Sequence, residues 1–88
     1  METANEDGLV PIKATVNSVF YRKPGPAEDP FVEVGSEVDE DTVVCVLEVM
    51  KMFRSVKAGV KGRVAQILAE NSERVQKGAV VMLIEPDA

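Results

Sequence analysis

The sequence has no histidine and a single cysteine, Cys45, and each shortage excludes a class of function. Without histidine the chain lacks the commonest general base and the commonest transition-metal ligand, which argues against self-contained catalysis and against a metal site. One cysteine cannot form an internal disulfide. Because Cys45 lies inside an apolar run, we predict that its thiol is buried packing and not a reactive group.

Long apolar segments and clusters of basic residues are also lacking. Apolar runs such as residues 43–47 are far too short to cross a bilayer, and the acidic segment 1–7 has neither the basic nor the apolar region of a secretory signal. Ten scattered Lys and Arg side chains are outnumbered by fifteen Asp and Glu, and the net charge of −5 would repel nucleic acid. We expect no nucleic acid or membrane partner and a location in the cytoplasm, with a plastid as the alternative.

The pattern that is present is that of a small all-β domain. The 88 residues suffice for one core, and 45% apolar against 28% charged residues is ordinary for soluble globular proteins. Short stretches rich in Val and Ile recur between turn-forming residues, and no window keeps helical spacing for three turns. We predict a flexible segment over residues 1–8 and a single domain over residues 9–86. The predicted strands cover residues 10–13, 17–21, 43–50, 52–57, 62–69 and 80–85, with shorter pieces near 31–34 and around Val38 and Val75.

The two halves of the chain resemble each other. Residues 38–48 align with residues 75–85 at an offset of 37, apolar on apolar, whereas residues 12–14 align with residues 56–58 at an offset of 44. Two similar β halves predict two small antiparallel sheets packed face to face and related by an approximate twofold axis. The junction between the halves falls at Lys51, which we therefore place at the tip of a β hairpin.

The first half carries the residues that make the offsets of 44 and 37 differ. They must lie between Ala14 and Val38, where prolines and a glycine remove backbone donors and impose turns. We predict a protruding loop, called the thumb loop below, and an idle surface insertion is the alternative. The thumb loop consists of Lys23, Pro24, Gly25, Pro26, Ala27, Glu28, Asp29 and Pro30.

Lys51 is the residue to which we assign the chemistry. A lysine side chain is protonated at pH 7 and is no nucleophile by itself, so a partner enzyme would have to supply an activated acyl group. The resulting flexible tether would let one reactive group visit two sites at high effective concentration. Met50 and Met52 frame the lysine and suggest recognition by an enzyme, although they could instead fold inward as gap fillers. Glu48 ends a buried run and is either a recognition element or the point where the strand emerges.

Two further patterns suggest other ligands at first sight. The acidic corner at residues 39–41 lacks the ligand spacing of an EF-hand loop, and we interpret it as a solvated turn. Gly35, Gly62 and Gly78 are interpreted as turn or bulge residues, and no Gly-rich phosphate loop of the Walker type is present. Neither pattern therefore predicts a metal or nucleotide site.

The segment Glu48-Val49-Met50-Lys51-Met52 resembles the attachment signature Glu-Ala-Met-Lys-Met of the biotinyl domain of biotin carboxyl carrier proteins. The segments 20–22 and 31–35, which flank the thumb loop, resemble the thumb-bearing carrier subunit of acetyl-CoA carboxylase, and the resemblance extends over residues 10–85. Val49 replaces the usual alanine, as in eukaryotic multidomain acetyl-CoA carboxylases. Asp41 stands where that family more often has glycine, which we expect to make the turn less favourable.

The resemblance implies a flattened barrel or sandwich of two four-stranded sheets with Lys51 on a hairpin tip. It implies that biotin protein ligase joins biotin to the Lys51 amine with the use of ATP, and that Glu48, Met50 and Met52 serve ligase recognition or frame the turn. Biotin carboxylase would carboxylate the biotin, and a carboxyltransferase would pass the carboxyl group to an acyl-CoA, with acetyl-CoA and fatty acid biosynthesis as the expected case. The chain is then a swinging-arm carrier and not an enzyme.

Three alternatives stay open at this point. A lipoyl carrier domain shares the fold and the hairpin lysine, but that family usually shows Asp-Lys-Ala, without a methionine pair or a thumb. A carrier of another biotin-dependent carboxylase or decarboxylase would keep the same motif. An unmodified β module that binds a protein partner would leave Lys51 replaceable.

Overall fold

A computed structural model describes residues 8–87, and all regular structure in this range is β. Two four-stranded sheets form, one with the strand order β1-β8-β6-β3 and the other with the order β5-β4-β2-β7, and every pairing is antiparallel. The predicted flexible segment, residues 1–8, lies outside the described residues except for Gly8. The strands are β1 (Val10–Lys13), β2 (Ser18–Tyr21), β3 (Glu37–Val38), β4 (Val43–Val49), β5 (Met52–Lys57), β6 (Gly62–Ile67), β7 (Glu73–Val75) and β8 (Val80–Pro86).

The internal repeat accounts for this topology. Exchanging β1 with β5, β2 with β6, β3 with β7 and β4 with β8 converts the strand order of one sheet into that of the other. Equivalent backbone hydrogen bonds occur in both halves: the Ala14 N–H donates to the Ala79 carbonyl, and the Ala58 N–H donates to the Thr42 carbonyl, each over 2.9 Å. The predicted two-sheet architecture and its approximate twofold symmetry are therefore confirmed.

Alternating side chains of the two sheets meet in one core. The largest fully buried side chains include Phe20 and Leu47 from one sheet and Met82 and Ile84 from the other. Burying each such side chain contributes roughly 1.5–3 kcal/mol. The smallest extent of the molecule is 19 Å, which fits two sheets packed about 10 Å apart with their outward side chains. The sheets do not join along their edges, so the architecture is a flattened sandwich and not a closed barrel.

The predicted short strand at residues 31–34 is wrong. This segment lies in a loop, where Ser36 and Glu33 close a turn: the Ser36 N–H donates to the Glu33 carbonyl and the Ser36 Oγ accepts from the Glu33 N–H, each over 2.9 Å. Val32 is nevertheless buried, with only 6% of its surface exposed, because the loop inserts this one side chain into the core. An apolar residue buried from a loop gives the same composition signal as a strand.

Gly62 differs from the two other glycines that we interpreted as turn or bulge residues. Gly35 and Gly78 have positive φ angles of 94° and 89° and lie in turns. Gly62 begins β6, and a Cβ built on it would collide with the carbonyl oxygen of Glu85 in β8. The absence of a side chain at Gly62 therefore lets β6 and β8 approach closely.

No helix within residues 8–87 is long and apolar enough to span a membrane. Cys45 is fully buried, as predicted, and burial raises the pKa of its thiol to about 12. A thiol in this state is packing material, because the thiolate is the reactive form.

Candidate functional site

The hairpin between β4 and β5 turns through only two residues, Met50 and Lys51. Val49 pairs with Met52 as the last pair of the ladder, and the φ angles of Met50 and Lys51 are 51° and 67°. Positive φ at both central residues is the geometry of a type I′ hairpin turn, which Asn-Gly and Asp-Gly favour. Neither dipeptide is present here, and the internal repeat alone predicted where the turn lies. The pairing of Val49 with Met52 confirms that position.

The side chains at this tip are directed into solvent. Met50 is 89% exposed, Met52 is 69% exposed, and Lys51 is also exposed. The alternative in which the two methionines fold inward as gap fillers is therefore wrong. Phe53, the next residue of β5, is 66% exposed and extends the apolar surface beyond the tip. Exposed apolar side chains around one cation form a surface suited to recognition by another protein.

Glu48 connects the turn to the neighbouring strand. Its Oε2 accepts a hydrogen bond of 3.3 Å from the backbone N–H of Lys51, and its Oε1 accepts one of 3.1 Å from the Tyr21 hydroxyl. The hydrogen bond to Glu48 raises the pKa of the Tyr21 phenol, and desolvation and the Glu48 charge act in the same direction. Glu48 therefore frames the turn in addition to marking the point where β4 emerges.

The thumb loop lies in the connection between β2 and β3, as predicted. The Phe31 N–H donates to the Arg22 carbonyl over 2.8 Å and closes the base of the loop, while the Arg22 N–H donates to Asn71 Oδ1 over 2.8 Å. Within the loop, the Glu28 N–H donates to the Gly25 carbonyl over 3.1 Å. The thumb loop is therefore closed at its base and contains an internal turn. Asn71 links its base to the connection between β6 and β7.

A cleft of about 370 Å³ separates the thumb loop from the outer face of the β5-β4-β2-β7 sheet. Tyr21 and Phe53 form part of the sheet side, with ring centroids 6.4 Å apart and ring planes inclined at 50°. Because Phe53 lies only two residues beyond Lys51, the cleft and the hairpin tip belong to one region of the molecule. The cleft is lined by Tyr21, Lys23, Pro24, Gly25, Pro26, Val46, Phe53, Asn71 and Ser72.

The acidic corner is a turn stabilised by its own side chains. Asp39 Oδ1 accepts from the Asp41 N–H over 2.9 Å and from the Thr42 hydroxyl over 3.1 Å, and these bonds lower the pKa of Asp39. Asp41 does not adopt a positive φ, whereas its counterpart Gly78 does, so the expected penalty for a non-glycine residue at Asp41 is absent. Among the described residues, no group of three or more His, Cys, Asp and Glu side chains has an arrangement that could hold a metal ion.

Three residues of this region were missed by the sequence analysis as parts of the site. Tyr21 belongs to the segment 20–22 that flanks the thumb loop and Phe53 to the predicted strand 52–57, and neither was assigned to the site. Asn71, which fixes the base of the thumb loop, was not identified. The alternation in β2, with Phe20 buried and Tyr21 half-buried, carries the one usable signal, because it places Tyr21 on the outward face.

Known proteins resemble this chain over most of its length. The biotin/lipoyl family, described as biotin-requiring enzyme, matches residues 10–84. The biotin carboxyl carrier protein of acetyl-CoA carboxylase from Chlamydia pneumoniae is 42% identical over 77 residues, which are 88% of this chain and 46% of that protein. The protein of the same name from Nostoc sp. (strain PCC 7120 / SAG 25.82 / UTEX 2576) is 38% identical over 79 residues, 90% of this chain and 43% of that protein.

A plant relative shows the same relation. The biotin carboxyl carrier protein of acetyl-CoA carboxylase 2, chloroplastic, of Arabidopsis thaliana is 37% identical over 76 residues, 86% of this chain and 30% of that protein. The chain thus spans less than half the length of these curated relatives. Since the family match covers residues 10–84, the chain belongs to the biotin/lipoyl family of biotin-requiring enzymes.

Proposed function

We propose that this chain is a carrier domain to which biotin is attached by an amide bond at Nζ of Lys51. The position of Lys51 carries the proposal: it is an exposed residue at a two-residue hairpin tip, within a Glu-Val-Met-Lys-Met segment, in a chain of a biotin-requiring family. Relatives named as carrier proteins of acetyl-CoA carboxylase support that enzyme, and with it fatty acid biosynthesis, over other biotin-dependent carboxylases or decarboxylases.

The residues at the tip fit such a group. Among residues 8–87, no hydrogen bond or ion pair engages the Lys51 ammonium, so an enzyme can reach it without breaking an internal contact. Biotin protein ligase would present an activated acyl group, and the N–C bond would form at Nζ while the activating group leaves and the ammonium releases two of its three protons. The exposed side chains of Met50 and Met52 offer the ligase an apolar surface on either side of the amine.

Attached at Lys51, biotin would supply the ureido nitrogen on which a carboxyl group is carried from biotin carboxylase to a carboxyltransferase. The chain itself holds and presents the group and is not a catalyst. The lysine side chain adds a flexible tether. The hairpin below it is paired up to Val49 and Met52, and Glu48 accepts a hydrogen bond from the turn. A tether of this kind raises the effective concentration of the group at both enzymes.

The boundaries and the compartment are part of the proposal. Residues 9–86 would make up the whole carrier domain, which includes all eight strands. We propose the cytoplasm as its location, and the chloroplastic relatives make a plastid the alternative.

Intact mass spectrometry after coexpression with biotin protein ligase tests the attachment. We expect one biotinyl group on the wild type, localised to Lys51 by peptide fragmentation, and none on Lys51→Arg. Lys57→Arg, a change at an exposed lysine of the same hairpin, is the matched control and should be modified like the wild type. A lipoyl group in place of biotin would favour a lipoyl carrier. An unmodified wild type would favour a module that binds a protein partner.

A further inference from the structure

The turn that carries Lys51 is intrinsically unfavourable for its two residues. Met50 and Lys51 both have positive φ, and neither is Gly, Asn or Asp. The left-handed conformation is unfavourable for an ordinary L-residue because it crowds Cβ against the following carbonyl oxygen. A two-residue turn of this kind also leaves the N–H groups of both central residues, Met50 and Lys51, without partners in the ladder. A side chain that accepts a hydrogen bond from one of these N–H groups would therefore stabilise the tip.

Glu48 supplies that stabilisation. Its Oε2 accepts from the Lys51 N–H over 3.3 Å and so engages one of the two donors that the ladder leaves unpaired. A free carboxylate on a strand end samples several rotamers, so the bond is strong only if the other oxygen is also held. The Tyr21 hydroxyl holds it, donating to Oε1 over 3.1 Å.

The strand register places Tyr21 and Glu48 on the same face. Val19 pairs with Glu48 across β2 and β4, and Tyr21 lies two residues beyond Val19, which makes Tyr21 the diagonal neighbour of Glu48. The Tyr21 ring is fixed in turn by its contact with Phe53, at 6.4 Å between centroids. The connection thus runs from the β2 strand through one carboxylate to the backbone of the tip.

We propose that Tyr21 is a positioning residue for modification: acting through Glu48, it holds the Lys51 turn in the conformation that the modifying enzyme acylates. The inference rests on the proposed function of Lys51 and deepens it. Tyr21 need not touch the ligase or biotin for this role. Its hydroxyl, and not its ring, is the part that matters, since only the hydroxyl reaches Glu48.

Tyr21→Phe tests the proposal because it removes the hydroxyl and keeps the ring against Phe53. A hydrogen bond is worth about 0.5–1.5 kcal/mol net, so we expect roughly a 2- to 10-fold fall in kcat/KM for ligation and a comparable acceleration of hydrogen exchange at the Lys51 amide. Ser55→Ala, which removes a hydroxyl from exposed β5 of the same sheet, is the control and should change neither quantity.

A double-mutant cycle separates positioning from direct contact. In a Glu48→Ala background, Tyr21→Phe should cause no further loss, because the route through Glu48 is already broken. Multiplying losses would overturn the proposal by showing that Tyr21 acts elsewhere, and unchanged exchange and kinetics in Tyr21→Phe would overturn it as well. A wild type that is never acylated at Lys51 would instead reject the proposed function, while the exchange experiment would still decide whether Tyr21 orders the turn.

Discussion

Phe31 donates its backbone N–H to the carbonyl oxygen of Arg22 over 2.8 Å, so the two ends of the thumb loop lie side by side. Deleting the eight residues between Arg22 and Phe31 would therefore not require β2 and β3 to move apart. The equivalent connection of the second half, between β6 and β7, has no such loop. We therefore expect the thumb loop to be a removable part of the fold.

Replacing residues 23–30 by a two-glycine link should leave a folded domain. Loop-closure entropy varies slowly with length, so the free energy of unfolding should change by only about 1 kcal/mol. Carboxyl transfer should fall, because the cleft against Tyr21 and Phe53 loses one wall. Chemical denaturation and a transfer assay measure the two effects, and loss of the folded state would show that the loop is structural.

Truncation of the tip methionines should affect recognition and not stability. Met50→Ala and Met52→Ala change exposed side chains, so the free energy of unfolding should stay within about 0.5 kcal/mol of the wild type. Ligation should slow in both variants. Leu68→Ala, a truncation of another partly exposed apolar residue, should be ligated normally. Normal ligation of both methionine variants would remove them from the recognition surface.

Gly62→Ala should destabilise the domain by overpacking. The new methyl group would meet the Glu85 carbonyl, which belongs to the backbone of β8 and cannot rotate away. Overpacking typically costs about 1–3 kcal/mol, which denaturant unfolding can resolve. Gly25→Ala is the control, since its added Cβ would lie 3.5 Å from Glu28 Cγ, an ordinary contact. Equal stability of the two variants would contradict the close approach of β6 and β8.

Cys45 should react slowly with thiol reagents in the folded state. Its side chain is fully buried, and burial raises its pKa to about 12, so the thiolate is scarce at neutral pH. Labelling at pH 8 with and without denaturant measures the effect, and the unfolded chain should react much faster. Equally rapid labelling under both conditions would contradict the burial.

The phenol of Tyr21 should titrate above its ordinary value of 10.0, because the hydrogen bond to Glu48 favours the neutral hydroxyl. A raised pKa in the folded state means that this contribution to stability is complete below the unfolded pKa and is lost as the pH rises through the folded one. The chain has one tyrosine and no tryptophan, so phenolate absorbance reports on this residue alone. Glu48→Ala should return the titration toward 10.0, whereas an unchanged midpoint would separate Tyr21 from Glu48.

The repeat predicted the architecture more accurately than local propensity did. Strands β4 and β8 begin at Val43 and Val80 and end at Val49 and Pro86, which preserves the offset of 37 at both ends. Because two copies of one pattern are expected to fold alike, aligning the two halves of the chain also located the hairpin tip, although the sequence has no turn signal there. Propensity alone produced the false strand at residues 31–34, where one buried valine imitates a strand.

The network around the tip could not be predicted in the same way. Tyr21 and Glu48 are 27 positions apart, and their contact depends on the register between β2 and β4, which composition does not determine. The orientation of Met50 and Met52 was also undecided. Alternation along a strand fixes which side chains point inward, but it ends at a turn whose two residues both have positive φ.

Val10 lies opposite Ile84 in the β1–β8 pair, so the beginning and the end of the folded part lie side by side. In the repeat, this pair of strands corresponds to β4 and β5, which are joined at the tip. A circular permutant that links the ends and is cut between Met50 and Lys51 would therefore retain all eight strands. Lys51, the proposed attachment residue, would then be the first residue of the rearranged polypeptide.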